Sequence, residues 1–372
     1  MPRLSQTSTI ETPAVQFTVS PTLDMLNAMY FTSLVPQMEG LDGWPAQLRR
    51  DMAPDLLAEL DALYDYPAGD PGVMGILGDD LFGRPEIWSD IDRLIEYVRS
   101  MPLGDEGTEA SPGVQRLIYQ TTFRYPDDVE PGAYDRFAPR EAVQRRMHDL
   151  KDRDAPSIMA LYDRPAELRE RMARLIERFY AEHYRQEMGR RLPALERSVT
   201  AHRQETIADP AQLAARLTGR QSCLEGVCAE PFSRLVFTPS LDMGPYSSCA
   251  IIGDIHGLIY PLEPEYRGTA AEEAEEARLA RVYKALGDEQ RLRILRMLRD
   301  REMYAQEIVE RTGLHQSVVS RHLQFMRAVG LLQLRKQNNM KFFSLNPTAR
   351  DMLSGTLALF DPVSRGKAGG AR

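Results

Sequence analysis

Five polar side chains between residues 316 and 324 have the types and spacing needed to contact the edges of DNA bases. Arg321 can donate two parallel hydrogen bonds to a guanine, and Gln316 or Gln324 can pair in the same bidentate way with an adenine. Ser317 and Ser320 add two hydroxyl groups close to where a helix would begin, and the free backbone N–H groups of a helix N-terminus attract phosphate. This set predicts a recognition helix that enters the major groove.

The other side of this stretch supplies the buried face that such a helix requires. Val319, Leu323 and Met326 recur at the i, i+4, i+7 spacing of an apolar stripe. For an isolated helix, a polar face is more often simply solvated, so the neighbouring elements decide between the two interpretations.

Those neighbours predict a winged helix-turn-helix over residues 277–361. Residues 285–300 predict a capped amphipathic helix and residues 304–313 a second one, which ends at Gly313, only a few residues before the recognition helix. Gly330 ends the recognition helix, and residues 331–346 predict a two-stranded hairpin, the wing, which turns at residues 337–340. Basic side chains at this tip are expected to contact backbone phosphate. The predicted DNA-contacting set is Gln316, Ser317, Ser320, Arg321, His322, Gln324, Arg327, Arg335, Lys336, Asn338, Asn339 and Lys341.

The charge distribution agrees with one nucleic-acid surface on an otherwise acidic chain. Residues 277–361 contain fifteen Lys and Arg against eight Asp and Glu, a balance of +7, whereas the whole chain of 372 residues has a formal charge of −8. The remainder therefore carries −15, which excludes a protein that binds polyanions over its whole surface.

The motifs of this region resemble the ArsR-type winged helix of bacterial transcriptional regulators. The resemblance is carried by residues 285–288 (ALGD), 291–295 (RLRIL), 319–323 (VSRHL) and 330–332 (GLL), in this order. It implies a symmetric dimer, usually a repressor, that releases double-stranded DNA when an effector binds. The outer helices, here residues 278–286 and 349–360, would make the dimer contact, although their apolar side chains fit an intramolecular core equally well.

No metal site or cofactor is expected. The resemblance includes metal sensors, but the helix before the recognition helix has no thiol, and the last helix has Asp351 and no His. The three cysteines, Cys223, Cys228 and Cys249, do not have zinc-knuckle spacing, and His256 is the nearest fourth ligand. These four residues are weak metal candidates, and reduced thiols in a cytoplasmic protein are the favoured interpretation.

The residues before the winged helix predict a larger, mostly helical domain with a small β-sheet. Apolar stripes mark helices over residues 23–34, 45–64, 85–98, 141–150 and 166–191, and β-like runs occupy residues 15–19, 234–238 and 250–260, the last interrupted by Gly253 and Gly257. The fold class is therefore mainly α (α+β). The expected layout is a flexible N-terminus at 1–13, a sensor or dimerisation domain at 14–262, an acidic linker or helix extension at 263–276, the winged helix at 277–361 and a flexible basic tail at 362–372.

The whole chain resembles bacterial regulators with an uncharacterised, mainly helical domain before an ArsR-type winged helix. Residues 17–21 (FTVSP), 235–240 (LVFTPS) and 258–261 (LIYP) carry this likeness, which implies a sensor or dimerisation role. An organic effector in an apolar pocket is expected, and no enzyme, because no nucleophile or cofactor motif is recognisable. An enzyme or a protein-interaction module fused to a DNA-binding domain is the alternative. No apolar run predicts a membrane span, and a cytoplasmic location is expected.

Overall fold

The chain divides into two compact units, residues 1–271 (unit 1) and residues 272–372 (unit 2). The computed structural model describes residues 13–41, 43–64, 72–103, 114, 117, 140–141, 144, 155–218, 233–268, 271–337, 340–350 and 353–354. Both units are mainly helical with one small sheet each, which confirms the predicted fold class. The predicted N-terminus before Pro13 and the predicted tail at 362–372 lie outside the described residues.

Unit 1 contains a four-stranded mixed sheet that joins the two ends of its sequence. Its strands are β1 (Ala14–Phe17), β2 (Arg234–Ser240), β3 (Ser248–Ile252) and β4 (Ile255–Pro261), in the spatial order β1-β2-β4-β3. Strand β2 is parallel to β1 and to β4, while β3 is antiparallel to β4. Apolar side chains of β1, β2 and β4 pack against helices of unit 1 in one core, with Phe17, Leu235, Phe237, Leu258 and Tyr260 all buried.

The helices of unit 1 begin and end at local sequence signals. Ser20 caps the first helix, because its Oγ accepts a hydrogen bond from the Leu23 backbone N at 3.1 Å, and Pro21 occupies the first helical position. The described helices are α1 (Pro21–Leu34), α2 (Trp44–Asp51), α3 (Pro54–Tyr64), α4 (Gly72–Asp80), α5 (Ile91–Ser100), α6 (Ala155–Tyr162), α7 (Pro165–Phe179), α8 (Arg185–Arg203), α9 (Pro210–Thr218) and α10 (Pro264–Arg267).

Three of the predicted helices differ from the structure. The stripe at 45–64 is two helices, because Met52 is extended and Pro54 begins α3. The stripe at 85–98 is a 3₁₀ turn, Pro85–Ile87, followed by α5, which Asp90 caps. The stripe at 166–191 is longer than predicted, since α7 passes through a π-helical turn, Tyr180–Tyr184, into α8. The helix predicted at 141–150 lies largely outside the described residues.

The β-like run at 250–260 is interrupted at one glycine and not at two. Gly253, at a φ of 56°, makes the turn between β3 and β4, whereas Gly257 lies inside β4. A Cβ atom at residue 257 would lie 2.3 Å from Phe82 Cδ1. Gly257 therefore allows the Phe82 ring to lie directly on the strand.

A buried ionic network joins α1, α8 and the end of β2. Arg191, fully buried on α8, donates to Asp24 Oδ2 at 3.0 Å and also to Asp242. Asp24 accepts two more side-chain hydrogen bonds, from the Tyr184 hydroxyl and from the Ser240 hydroxyl, each at 2.7 Å. Tyr184 belongs to the π-helical turn, so this irregular turn aims a hydroxyl at the buried carboxylate.

A second buried cluster surrounds His202 at the end of α8. Its Nδ1 lies 2.6 Å from Glu205 Oε1 and its Nε2 lies 2.6 Å from Glu263 Oε1. Burial alone would lower the pKa of His202, but the hydrogen bonds to Glu263 and Glu205 outweigh burial and raise the pKa. Both nitrogens can donate to carboxylates only when the ring is protonated, so this site favours the imidazolium.

The described residues of unit 2 form four helices and a three-stranded sheet, and the predicted winged helix is confirmed. Its sheet has the order β5-β7-β6, with all neighbours antiparallel. The two-residue strand β5 was not predicted from the sequence. The elements are α11 (Ala271–Leu286), α12 (Glu289–Leu298), β5 (Met303–Tyr304), α13 (Ala305–Thr312), α14 (Gln316–Ala328), β6 (Leu332–Gln337) and β7 (Met340–Leu345).

Each helix in the described parts of the chain is too short or too polar to cross a lipid bilayer. Residues 271–276, within the predicted acidic linker, are helical and continue into α11.

Candidate nucleic-acid interface

The turn before α14 fixes where the recognition helix begins. Gly313 adopts a φ of 71° and ends α13 through a hydrogen bond from its backbone N to Val309 O at 2.9 Å. His315 then caps α14, because its Nδ1 accepts a hydrogen bond from the Ser317 backbone N at 3.3 Å. The same Nδ1 lies 2.8 Å from Ser317 Oγ, so the predicted DNA contact Ser317 also takes part in the cap. His315 was not predicted as a cap, since histidine is not a common capping residue.

Most of the predicted base-contacting side chains lie together on the exposed side of α14. Val319, Leu323 and Met326 are buried, and Phe325, which the sequence analysis did not place in the stripe, is buried as well. His322 and Arg327 are half-buried at the border between the two sides. The exposed predicted residues are Gln316, Ser317, Ser320, Arg321 and Gln324.

Two arginines of α12 position the helix-turn-helix from behind. The guanidinium of Arg291, only 4% exposed, lies 4.9 Å from the centre of the Phe325 ring, which ties α12 to α14. Arg293 donates to the backbone oxygens of Thr312 at 3.4 Å and Arg311 at 3.2 Å, and so caps the C-terminal end of α13. These contacts explain why the motif at 291–295 is rich in arginine although it lies on a partly buried helix.

The wing places its basic residues unequally. Arg335 on β6 and Lys341 on β7 are exposed, and Lys336 lies on β6 opposite Lys341. The predicted contacts Asn338 and Asn339 lie outside the described residues. The Arg335 guanidinium stands over the Phe342 ring, 5.0 Å from its centre, and its Nε donates to Glu302 Oε2 at 3.2 Å.

Acidic residues accompany the cations of this unit. Glu302 lies directly before β5 and pairs with Arg335, and the hydrogen bond from Arg335 lowers the pKa of Glu302. Glu307 on α13 pairs with Arg301 and with Arg311, and the bond to Arg301 is the main cause of its lowered pKa. All of these carboxylates are therefore charged at neutral pH, and they offset part of the positive charge of the unit.

Of the four weak metal candidates, the structure describes Cys249 and His256. Cys249 is half-buried on β3, and His256 is buried on β4. Cys223 and Cys228 lie outside the described residues. Within the part of the chain that the structure describes, no three His, Cys, Asp or Glu side chains form a metal-binding group.

Part of this chain is similar in sequence to bacterial regulators. The model of the family "Bacterial regulatory protein, arsR family" matches residues 288–333. The transcriptional activator HlyU of Vibrio cholerae serotype O1 is 38% identical over 76 residues, which are 20% of this chain and 70% of that protein.

Two solved structures extend the comparison. HlyU from Vibrio cholerae N16961 is 35% identical and matches 23% of this chain and 94% of its own, with a TM-score of 0.20. The homodimeric winged helix-turn-helix DNA-binding domain of Mb0332 from Mycobacterium bovis is 22% identical and matches 28% of this chain and 96% of its own, with a TM-score of 0.22. The sequence identity to HlyU is the observation that supports a functional conclusion.

Proposed function

Because the chain belongs to the arsR family of bacterial regulatory proteins, and is therefore a DNA-binding transcriptional regulator, we propose that it reads a specific double-stranded DNA sequence through α14. One observation carries this proposal. The side chains suited to base edges, Gln316, Arg321 and Gln324, are exposed on one side of α14, while the other side is buried in unit 2.

In this arrangement the two parts of the interface have different tasks. The N-terminal half of α14 enters the major groove, where Arg321 pairs with a guanine and Gln316 or Gln324 with an adenine. Ser320 and the wing cations Lys336 and Lys341 contact phosphates, which adds affinity but little sequence information. Arg291 and His315 hold α14 in place through Phe325 and the helix cap.

The test compares two arginine variants on the same unit. The binding site is first identified by sequencing those fragments of sheared genomic DNA from the source organism that the protein binds. Fluorescence anisotropy then measures the affinity of each variant for a duplex that contains this site. Arg321→Ala should weaken specific binding by about five- to a hundredfold, since one bidentate base contact is worth about 1–3 kcal/mol. Arg299→Ala, which removes an exposed arginine outside α14, is the matched control. Equal losses in both variants would reject the proposed orientation.

The wing is tested by the salt dependence of binding. Lys336→Ala should reduce the slope of log K against log[salt] by about one and weaken binding to all sequences similarly. A loss confined to one sequence would instead assign Lys336 to base reading.

We also propose that the regulator is a dimer that uses the outer helices of unit 2. Leu279 and Val282 of α11 are buried within the unit, whereas Tyr283 of α11 and Leu292 of α12 are 43% and 48% exposed. The exposed aromatic side chain of Tyr283 on the outer helix α11 supports a protein contact there, and Leu292 adds exposed apolar surface on α12. Residues 351–352 and 355–360 of the expected seam lie outside the described residues. Native mass spectrometry of the full chain should give a dimer, and a monomer at micromolar concentration would contradict this part of the proposal.

The control of DNA binding is proposed to run through residues 14–262, with residues 263–276 as the connection to the winged helix at 277–361. Residues 271–276 are helical and continue into α11, so this part of the connection is a helix extension. The proposed direction is repression, relieved by an organic effector, whereas the relative HlyU is named an activator. A promoter reporter distinguishes repression from activation, because under repression the signal should rise when the gene for this chain is deleted.

A bound organic molecule in the native mass spectrum would identify the effector for a DNA-release assay.

A further inference from the structure

Arg335 and Glu302 form an ion pair that links the β6–β7 hairpin to the rest of unit 2. The Nε of Arg335 donates to Glu302 Oε2 at 3.2 Å, and its Nη2 donates to Glu302 Oε1. Two parallel hydrogen bonds of this kind are the strongest and most directional arrangement of a guanidinium and a carboxylate. Both side chains remain substantially exposed, at 49% and 39%, so the pair can open without unfolding the unit.

The Arg335 side chain extends from β6 across β7 to Glu302, which precedes β5. Arg335 is the cross-strand partner of Phe342, and its guanidinium lies over that ring. Tyr304 of β5 contacts the same ring with a centroid distance of 6.3 Å. The Phe342 ring and the Glu302 carboxylate therefore hold the Arg335 guanidinium against the sheet.

A DNA phosphate needs the same hydrogen-bond donors as the Glu302 carboxylate. Phosphate and carboxylate oxygens both accept the fork of N–H groups that arginine presents, and the same N–H groups cannot serve two bidentate partners at once. The charge of Glu302 also repels the phosphate backbone. From this competition we infer that Glu302 limits the DNA affinity of the protein by withholding Arg335 from the phosphate backbone.

This inference rests on the proposed function, since it assumes that the wing lies beside DNA. Its consequence is that Glu302 lowers affinity for any duplex, because the interaction that it blocks is with the backbone and not with a base. Glu302 thereby keeps the protein from being held on DNA that lacks the recognised sequence. The binding site need not be known for the test, since a fluorescein-labelled duplex of random sequence is sufficient.

The variant Glu302→Gln keeps the side-chain shape and removes the charge. It should raise affinity for the random duplex about two- to fivefold, the effect expected for opening one exposed ion pair. Between about 50 and 200 mM salt, the slope of log K against log[salt] should steepen by about one, because one more cation reaches phosphate. Asp300→Asn is the matched control, since Asp300 is a nearby exposed acid that pairs with Arg299; its charge change alone should not steepen the slope.

A double-mutant cycle separates the withheld arginine from simple repulsion. In the Arg335→Ala background, the gain from Glu302→Gln should fall to the level of the Asp300→Asn control, because no guanidinium is left to release. An equal gain in both backgrounds, or a loss of affinity in Glu302→Gln, would overturn the inference. Wild-type protein that binds no DNA would instead overturn the proposed function, so the two failures are distinguishable. Circular dichroism and the melting temperature of each variant confirm that unit 2 remains folded.

Discussion

Arg191 of unit 1 and Arg335 of unit 2 have the same kinds of partners in opposite surroundings. Arg191 binds two carboxylates and lies 4.3 Å from the centre of the Trp44 ring, and Arg335 binds one carboxylate and lies over Phe342. Arg191 is fully buried, whereas Arg335 is about half exposed. Water can replace the partners of Arg335 but not those of Arg191. The first arginine is therefore part of the architecture, and the second is available for exchange with a ligand.

The largest expected effect comes from breaking the buried network. Arg191→Met fills similar space but leaves Asp24 and Asp242 without their cation, which should cost about 3–5 kcal/mol of the free energy of unfolding. Both tryptophans of the chain, Trp44 and Trp88, lie in unit 1, so urea unfolding followed by tryptophan fluorescence reports this unit. Arg190→Met, which opens the exposed pair with Glu187, should lower the midpoint little. Similar losses in the two variants would mean that burial does not distinguish these arginines.

The second largest expected effect is the pH-dependent contribution of His202 to the stability of unit 1. His202 has a raised pKa in the folded protein, so its imidazolium stabilises fully at a pH below the unfolded value of about 6.5 and loses this contribution as pH rises through the folded pKa. His202→Gln should cost about 1.5–3 kcal/mol at the acidic end, the range for hydrogen bonds to a charged group, and less at alkaline pH. Urea unfolding at a series of pH values measures this difference.

His183 provides a control of opposite sign. Burial lowers the pKa of His183, so its contribution is present above the unfolded value and is lost as pH falls. The difference between wild type and His183→Gln should therefore change with pH in the opposite direction. Parallel pH profiles for the two histidine variants would contradict the assignment of the His202 imidazolium.

The third effect concerns packing without charge. Gly257→Ala would place a Cβ atom 2.3 Å from Phe82 Cδ1, and the resulting overpacking should cost about 1–3 kcal/mol of unfolding free energy. At Gly189 of α8 a Cβ atom would meet nothing within 4 Å, so Gly189→Ala should leave stability unchanged or raise it. An unchanged urea midpoint for Gly257→Ala would show that the Phe82 ring can move aside freely.

The smallest effect tests whether burial, and not membership of a unit, decides the outcome. Glu170 and Arg174 form an exposed pair one turn apart on α7 in unit 1, with a distance of 3.7 Å. Glu170→Gln should change the free energy of unfolding by less than about 0.5 kcal/mol. A larger loss would mean that unit 1 is sensitive to charge at its surface as well as in its interior.

The sequence predicts those elements whose signals are local. The apolar stripe with Val319 and Leu323, the glycine at 313 and the hairpin give the winged helix correctly, because spacing and turn chemistry are contained in neighbouring residues. The DNA contacts chosen from α14 and the wing stay predictions. The strand β5 was not predicted, because two residues are too few for a pattern; it is defined by the pairing of Met303 with Phe343 and of Tyr304 with Phe342.

The contacts that were not predicted join residues that are far apart in sequence. Arg335 and Glu302 are separated by 33 positions, and nothing near either residue indicates the other. Gly257 resembles a strand interruption until Phe82 is placed against it. His202 has one partner three residues away and another, Glu263, 61 residues away. Tertiary packing, and not local propensity, sets each of these contacts.

The pairing of β1 with β2 has a consequence for how the protein is made. Residues 14–17 are synthesised before their hydrogen-bonding partners at residues 234–237, and most of unit 1 lies between the two segments. At about 5–20 residues per second this delay is on the order of ten to forty seconds. During this delay the backbone N–H and C=O groups of β1 lack their partners on β2. A nascent chain released before residue 234 therefore cannot form the β1–β2 pair.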